Sequence, residues 1–578
     1  GAYGIYCHNC DFSDYLNNII IGPDNGIHSQ LSSNCNLVSN EIEVQGDYGI
    51  DAYNCSFSRI DSNIVRGYDD GVEYGISAHD SYYVNIEHND IEDFREYGIY
   101  FQSSVNAIVN HNRVIGAESA GWQSGIHNSE SNQYAQVNYN YINILSENHA
   151  DHSYGISVND SEVIGDTILI TLFDHADLRG IRADRSIIKD NTINISHQNG
   201  SHYSRYCIES YGSENSRSTI ENNTINSNYA DGIVSDYADI SNNIMNNTSS
   251  GTSYTGIFPG HYSIVTNNEI IGWNNGINFE NEWSNEISGN HIESRNYCIY
   301  APSSYGDHLI ENNTFNKYTT EGGWLIYVTN AESVTVSNNE CEALGGSGFY
   351  FNNTSVTMDH NLIVCPGRGL ELTNQAGGTI LNNTIISTEN GDYGITVSNL
   401  STPVMRNNIV QGYSTGMQID NDLMNTNVSH NALWDISGDL YAGTALAPLI
   451  GDPISFNANS DSSDVYGNIY MDPMFMNADS MDYHLTEPSA CINAGSPENT
   501  DPDGTVADIG AFYFDSPVQD SITDPITVNF TVSGSVLLED SEDHSGTEVS
   551  FYSIINPGEV SAQTLSDSEG NYNLEVSP

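Results

Sequence analysis

Two short motifs alternate along residues 1–433, and their recurrence limits what the chain can fold into more than any other feature. One is Gly before an apolar residue, often behind Tyr, as in Tyr48-Gly49-Ile50, Tyr74-Gly75-Ile76, Tyr97-Gly98-Ile99 and Tyr154-Gly155-Ile156. The other is Asn-x-apolar, as in Asn40-Glu41-Ile42, Asn89-Asp90-Ile91, Asn112-Arg113-Val114 and Asn290-His291-Ile292. Each returns about every 24 residues, a period that belongs to solenoids rather than to separate globular domains. Apolar residues alternate within the repeat, as in Val84-Asn85-Ile86 and Val334-Thr335-Val336, which is the period of a half-buried strand. One coil is therefore expected to hold three short strands and three turns. A leucine-rich repeat has a similar period, but Ile rather than Leu dominates here and no segment has a helical pattern. The chain is expected to be all-β, with roughly 18 coils stacked at the ~4.8 Å spacing of paired strands.

Stacking aligns like residues. Ile and Val would form interior columns. The Asn of each Asn-x-Ile would form a ladder at one turn, because an amide offers two donors and an acceptor to the backbone and to the next amide. Ser62 and Asp166 stand as exceptions to that ladder. Tyr3, Tyr48, Tyr74, Tyr97, Tyr154, Tyr206, Tyr297 and Tyr393 recur before the Gly-Ile or Cys-Ile step. Facing outward they could stack on sugar rings, and facing inward they would pack; their recurrence far from any irregular loop favours packing.

These repeats resemble the parallel β-helix repeats of the pectate-lyase-like superfamily, including NosD-like and right-handed β-helix region proteins. The resemblance covers most of the chain and implies a right-handed parallel β-helix. It implies no activity, since that superfamily holds lyases, hydrolases, epimerases, adhesins and proteins without catalysis. Residues 434–514, with Asp464 to Phe475, Ala490 to Gly495 and Asp501 to Phe512, resemble the closing coils of secreted β-helix proteins. A cap is needed there, because an open last coil exposes apolar residues and unpaired strand edges. Residues 515–525, with Pro517 and Pro525, are expected to be a linker. Residues 526–578 resemble a carboxypeptidase-regulatory-like β-sandwich, expected to be incomplete at Pro578.

Charge narrows the partners. Lys and Arg total 14 against 76 Asp and Glu, a formal net charge of −62, and Lys189 and Lys317 are the only lysines. Nucleic acid is excluded as a partner, since phosphate binding needs basic patches, and anionic membranes are disfavoured. Polysaccharide or cell-surface glycan, cations and other protein subunits remain. No run reaches the ~18 apolar residues of a membrane span, and no signal peptide is visible. The start Gly1-Ala2-Tyr3-Gly4-Ile5 lies already inside a repeat, so a processed or truncated piece of a longer secreted or cell-surface protein is expected. Nine cysteines have no zinc or redox spacing; Cys7 and Cys10 are the one close pair, and Cys207 and Cys298 replace Gly before Ile, so buried thiols are expected.

Chemistry would sit on an irregularity. The step from the Asn-x-Ile apolar residue to the next Gly-Ile is usually short, as from Ile270 to Ile277, but lengthens between Val114 and Ile126, Ile142 and Ile156, Ile168 and Ile181, and Ile193 and Ile208. Four consecutive coils thus carry enlarged loops, which would form a wall or cleft near residues 115–208. His149, Asp151, His152, Asp174, His175, Asp177, Arg179, Arg182, Arg185, Lys189 and His202 cluster there. Counted back from Gly-Ile, His149 matches Asp174 and His152 matches Asp177. Asp and His could act as general acid and base on a sugar with Arg179 neutralising an anion, could bind a metal, or could form a solvated network. No lyase or polygalacturonase signature matches: Gly260-His261-Tyr262 lacks the second Gly, and no Arg-x-Lys occurs. Asp69-Asp70 suits a turn. Asp501, Asp503 and Asp508, with Gly504, could hold calcium or make an ordinary Asx-turn.

The sequence therefore points to a secreted or surface β-helix used as a rigid scaffold and as an adhesive surface for a glycan or a protein. A polysaccharide lyase or hydrolase working at the loop wall, and a subunit of an extracellular filament or sheath, are the alternatives.

Overall fold

The computed structural model describes residues 2–68, 71–117, 123–128, 134–146, 152–172, 177–197, 205–249, 254–420, 427–444, 446–515, 530–538, 542–552 and 560–576. It forms two compact units, residues 1–514 and 515–578.

The first unit is a parallel β-solenoid of about 17 turns. Three columns of parallel strands make its walls. In the glycine column Ile50, Ile76 and Ile99 lie in register on successive coils. In the middle column Ile60, Ile86 and Val109 do so, and in the asparagine column Val65, Ile91 and Val114. All of these side chains are fully buried. Each contributes about 1.5–3 kcal/mol by leaving water, and only the vertical repetition lets so many share one core.

Gly-Ile has a steric cause. A Cβ on Gly75 would collide with Ile91 of the asparagine column and come within 2.6 Å of the Gly98 carbonyl oxygen on the next coil. The residue therefore has to be Gly or very small. Cys207 and Cys298 fill that place as buried free thiols, as do Cys35, Cys55, Cys341, Cys365 and Cys491 elsewhere, while Cys7 and Cys10 are joined. The register steps past this glycine, from Tyr74 and Tyr97 to Ile76 and Ile99. Tyr48, Tyr74 and Tyr97 then stand half-exposed outside the wall, their rings stacked at 5.0 and 5.1 Å. Packing was expected to turn these rings inward; they instead face outward and stack on one another outside the sheet.

The asparagine ladder runs from coil to coil and is interrupted at Asp166, which reaches Asn191 through its backbone N–H alone. Asn89 donates from Nδ2 to Asn112 Oδ1 at 2.9 Å and to the Ile60 carbonyl at 2.9 Å, and Asn112 repeats this toward Asn140 at 3.0 Å. Backbone N–H groups bond the same oxygens, as from Asn89 to Asn112 at 3.0 Å. Each buried amide is thereby satisfied, which removes the cost of taking it out of water. Ser62 is not an exception: Asn63 holds the ladder position, receiving Asn40 Nδ2 at 2.8 Å and donating to Asn89 at 2.9 Å. Ser62 is the residue before it, with φ 55°, a left-handed place also taken by His88, His111, Asn222 and Asn242. Asn tolerates that conformation better than most residues, so pairs such as Asn222-Asn223 serve the turn with the first residue and the ladder with the second. Asp166 is a true exception. Its Oδ1 accepts from Asn140 at 2.9 Å, but its buried Oδ2 has no partner, and burial pushes its pKa well up.

Residues 434–514 extend the ladder by one step and then turn back along the wall. Asn468 extends the ladder, accepting from Asn431 Nδ2 at 3.1 Å, and Asp464 ends it by accepting from Asn468 Nδ2 at 3.0 Å. Beyond it, Tyr483, Leu485, Cys491 and Ile509 pack on Leu362, Val364, Ile386 and Ile409, forming a second core outside the asparagine column. Gly510 donates to the Asn407 carbonyl at 2.8 Å and Ala511 to Thr384 Oγ1 at 2.9 Å.

The second unit shows two antiparallel pairings, Phe530–Ser535 with Asn571–Val576 and Glu548–Tyr552 with Val560–Leu565. Among the described residues the only helical element is the 3₁₀ turn Ala478–Ser480, and no helix is long and apolar enough to cross a membrane.

Candidate functional site

His149, Asp151, Asp174, His175 and His202 lie outside the described residues, as do Asp69 and Asp70. For His152 the backbone alone is described, and it pairs in register with Asp177, the adjacency expected from counting. Arg179 and Arg182 stand outside the glycine column. Arg179 Nε donates to Glu209 Oε2 at 2.8 Å with its guanidinium 4.9 Å over the Tyr206 ring, and Arg182 Nε lies 3.8 Å from the same carboxylate. Tyr211 also donates to Glu209, at 3.1 Å. Arg185 and Lys189 do not join them. Arg185, in a left-handed turn, grips Asp160 through two bonds of 2.7 Å, and Lys189, in the middle column, pairs with Glu221 at 3.1 Å. One turn, with Arg185 in it, separates Lys189 from the strand of Arg179, so the sequence cluster divides among the faces of the coil.

Beside the Arg179–Glu209 pair the outer surface opens into a groove of about 440 Å³. The strands Arg205–Tyr211, Asp231–Asp236, Thr255–Pro259 and Glu269–Asn278 supply its floor from four successive coils. Tyr206, Tyr211 and Phe258 line it with rings, and Asp231, Asp236, Glu280, Glu282, Asn278 and Asn281 line it with acceptors. Outward placement follows from the strand period: Glu209, Val234 and Phe258 share one register row, and Ile208, Ile233 and Ile257 behind them are buried.

Its electrostatics are acidic. Asp231 Oδ1 accepts from the Thr255 N–H at 2.6 Å, and burial pushes its carboxyl up to about 7. At the far end His261 Nδ1 lies 2.5 Å from Glu282 Oε2. Burial raises both Glu282 and Asp236, against the lowering influence of His261. Asp236 Oδ1 is buried without a hydrogen-bond partner, and a Cβ on Gly260 would lie 2.7 Å from it, so glycine there leaves the oxygen room. Two coils away on the other side of the Arg pair, burial lowers His127 to about 4 among Tyr97, Tyr100 and Tyr154, whose ring centroids lie 5.0, 5.8 and 6.4 Å from its own. Of the groove residues the sequence singled out Tyr206, Gly260 and His261, but not as one site, because the lining comes from strand ends and turns of different coils.

Asp501, Asp503 and Asp508 lie together in the strap over the asparagine column. Asp508 accepts from the N–H groups of Asn493 and Phe514, both at 2.6 Å, Asp501 Oδ2 accepts from the Asp508 N–H at 2.8 Å, and Asp503 Oδ1 accepts from the Thr505 N–H at 2.9 Å. The Asp503–Thr505 bond is of Asx type, the others tie separate segments of the strap together, and burial pushes Asp508 up to about 6. Among the described residues no three His, Cys, Asp or Glu side chains form a group able to hold a metal ion.

The comparisons agree with the fold. A right handed beta helix region model matches residues 275–452. The crystal structure of Dettilon tailspike protein (gp208) is similar at 12% identity and TM-score 0.22. That match covers 61% of this chain and 60% of the tailspike chain, a likeness too slight to carry an argument. No curated protein matches. A second family model, described as periplasmic copper-binding protein (NosD), matches residues 1–169 and 170–324, more than half of the 578 residues, and the chain accordingly belongs to the NosD family of β-helix proteins.

Proposed function

We propose that this protein is an extracellular or cell-surface scaffold that binds a glycan along the outer face of its glycine column. The groove carries this reading. Sugars present C–H faces that stack on aromatic rings and hydroxyl groups that donate to carboxylates and amides, and Phe258 beside Asp231, Asp236 and Asn278 offers both kinds of contact within about 440 Å³. That volume falls within the few hundred Å³ usual for ligand sites. The net charge of −62 disfavours polyanionic glycans. The backbone around the groove is held by coils above and below, so little ordering is lost on binding.

The NosD description names copper. Copper prefers imidazole, thiolate and thioether donors. Among the described residues no three His, Cys, Asp or Glu side chains come together as a metal-holding group, and the free cysteines are buried in the core. The described residues do not fit a copper centre.

The test is titration of the full chain with neutral, amine-bearing and uronic oligosaccharides, following heat and any release of reducing ends or unsaturated products. Binding without turnover, weakened about tenfold by Phe258→Ala, is expected. Binding indifferent to that substitution, or none across the panel, would remove the reading, and product formation would move it to the lyase or hydrolase alternative.

A further inference from the structure

The asparagine column has a groove of its own, and we infer that it binds a neutral oligosaccharide at a site separate from the glycine-column groove. It encloses about 380 Å³ and crosses successive coils on the outer face of that column. Its floor lies where the strands lengthen. Tyr141–Ser146, Thr167–Leu172 and Thr192–His197 have six residues each, against four in Arg113–Gly116 and Thr224–Ser227 on either side. These three strands belong to coils whose loops are enlarged in the sequence, so part of the extra chain widens this wall.

The first support is the absence of charge in a chain whose formal net charge is −62. None of the described residues that line the groove is ionisable. The outward row that makes its floor leaves charge at Glu92, runs in register through Asn143, Leu169, Asn194, Asn226 and Asn246, and meets charge again at Glu293. The row beside it does the same, with Thr167, Thr192 and Thr224 between Arg113 and Glu269. A charged ligand would find no counter-charge here, and a polyanion would also meet the repulsive field of the whole chain. A neutral one meets neither cost.

The second support is the arrangement of the polar groups. Asn226 donates from Nδ2 to Asn194 Oδ1 at 2.9 Å, and Asn246 donates to Asn226 Oδ1 at 3.3 Å. This outer amide ladder fixes the side-chain planes. An amide has two N–H groups and two lone pairs, so Asn226 keeps one of each for a ligand. Thr171 and Ser196 pair their hydroxyls at 3.0 Å along the edge. Leu169 interrupts the amides, half-exposed between Asn143 and Asn194 on the coils to either side. At the ~4.8 Å strand spacing those two amides stand roughly 10 Å apart, so a pyranose ring with its C–H face on Leu169 can reach an amide on each side with its hydroxyls. Hydroxyls donate and accept, as this lining does, whereas an apolar partner would leave the lining unanswered. The floor is strand on coil after coil, so little ordering is lost on binding.

The experiment measures calorimetric binding of cellohexaose, laminarihexaose, maltohexaose and mannohexaose to the full chain, with hexagalacturonate as the anionic control. At least one neutral sugar should bind, hexagalacturonate should bind at least about tenfold more weakly, and the neutral affinity should change by less than about twofold in 1 M salt, since no ion pair is there to be screened. Leu169→Ala and Asn194→Ala should each weaken the neutral sugar about tenfold, with unchanged thermal unfolding as the check on folding, whereas Phe258→Ala should leave this event as it is. Binding weakened by the asparagine-column substitutions alone would uphold the site whether or not the glycine column binds a glycan. Neutral binding that Phe258→Ala abolishes and Leu169→Ala and Asn194→Ala leave untouched would overturn this site and leave the glycine-column reading standing. No neutral binding, or hexagalacturonate matching the neutral sugars, would overturn the ligand class.

Discussion

At the residue scale Asp166 and Asp464 show how much one carboxylate differs from an amide. Asp464 is well used: Asn468 donates to it from both its backbone and its side chain, and Tyr470 adds a bond of 2.7 Å. Asp464→Ala would leave those donors buried and unanswered, and the first unit should lose about 2–4 kcal/mol in urea unfolding. Asp166 is the reverse case, a buried acid with one oxygen lacking a donor. Its folded pKa is raised above the unfolded value, so its contribution is fully present below the unfolded pKa and is lost as pH rises through the folded one. Asp166→Asn should therefore stabilise the protein by about 1–3 kcal/mol at pH 7 and by much less at pH 3, as comparison of the two urea midpoints would read. Ser62 marks the limit of reading such positions from sequence. The motif Asn63-Ile64-Val65 is present, but the eye that counts on Ile misses it, and only the bonds from Asn40 to Asn63 and on to Asn89 settle the register.

At the scale of strands and turns, the Gly-Ile corner is what lets a residue and its neighbour both face inward, which is why the tyrosine before it emerges outside. Gly75→Ala should cost about 1–3 kcal/mol or more by overpacking against Ile91 and the Gly98 carbonyl, as a lowered denaturant midpoint would show. Strand pairing was legible down to single residues, since counting from Gly-Ile placed His152 opposite Asp177. The site was not. Arg185 and Lys189 follow Arg179 closely in sequence, yet Arg185 sits in the turn and Lys189 beyond it, whereas Glu209, far away in sequence, meets Arg179 at 2.8 Å. A vertical neighbour is a coil away, and no local pattern announces which outward residue will be acidic. The Arg179–Glu209 pair is largely buried, at 12% and 7% side-chain exposure. Glu209→Ala should lower stability by about 1–3 kcal/mol, because it removes the carboxylate that answers the Arg179 guanidinium and the Tyr211 hydroxyl; thermal unfolding would measure it.

At the scale of the first unit, the strap over residues 362–409 changes what its wall presents to water. In the coils of Glu41 and Asp90 the outward residues of the asparagine column are charged, Glu41 and Glu43 or Asp90 and Glu92, although Ile19 and Ile21 of the first coil are apolar and exposed; from Leu362 they are apolar and covered, with Val364, Ile386 and Ile409. That shift was visible in the sequence and is the signal that something covers this face. Ending the chain after Tyr470 would expose it, and self-association of the shortened protein, followed by light scattering, is the expected outcome.

The amide column pins each turn of the winding at one point and leaves the length between pins open. Successive pins lie as close as 20 residues, from Asn223 to Asn243, and as far as 37, from Asn431 to Asn468. Extra chain can thus be accommodated between two pins without disturbing the turns above or below, so the scaffold can acquire new surface decoration while its inner thread stays as it was.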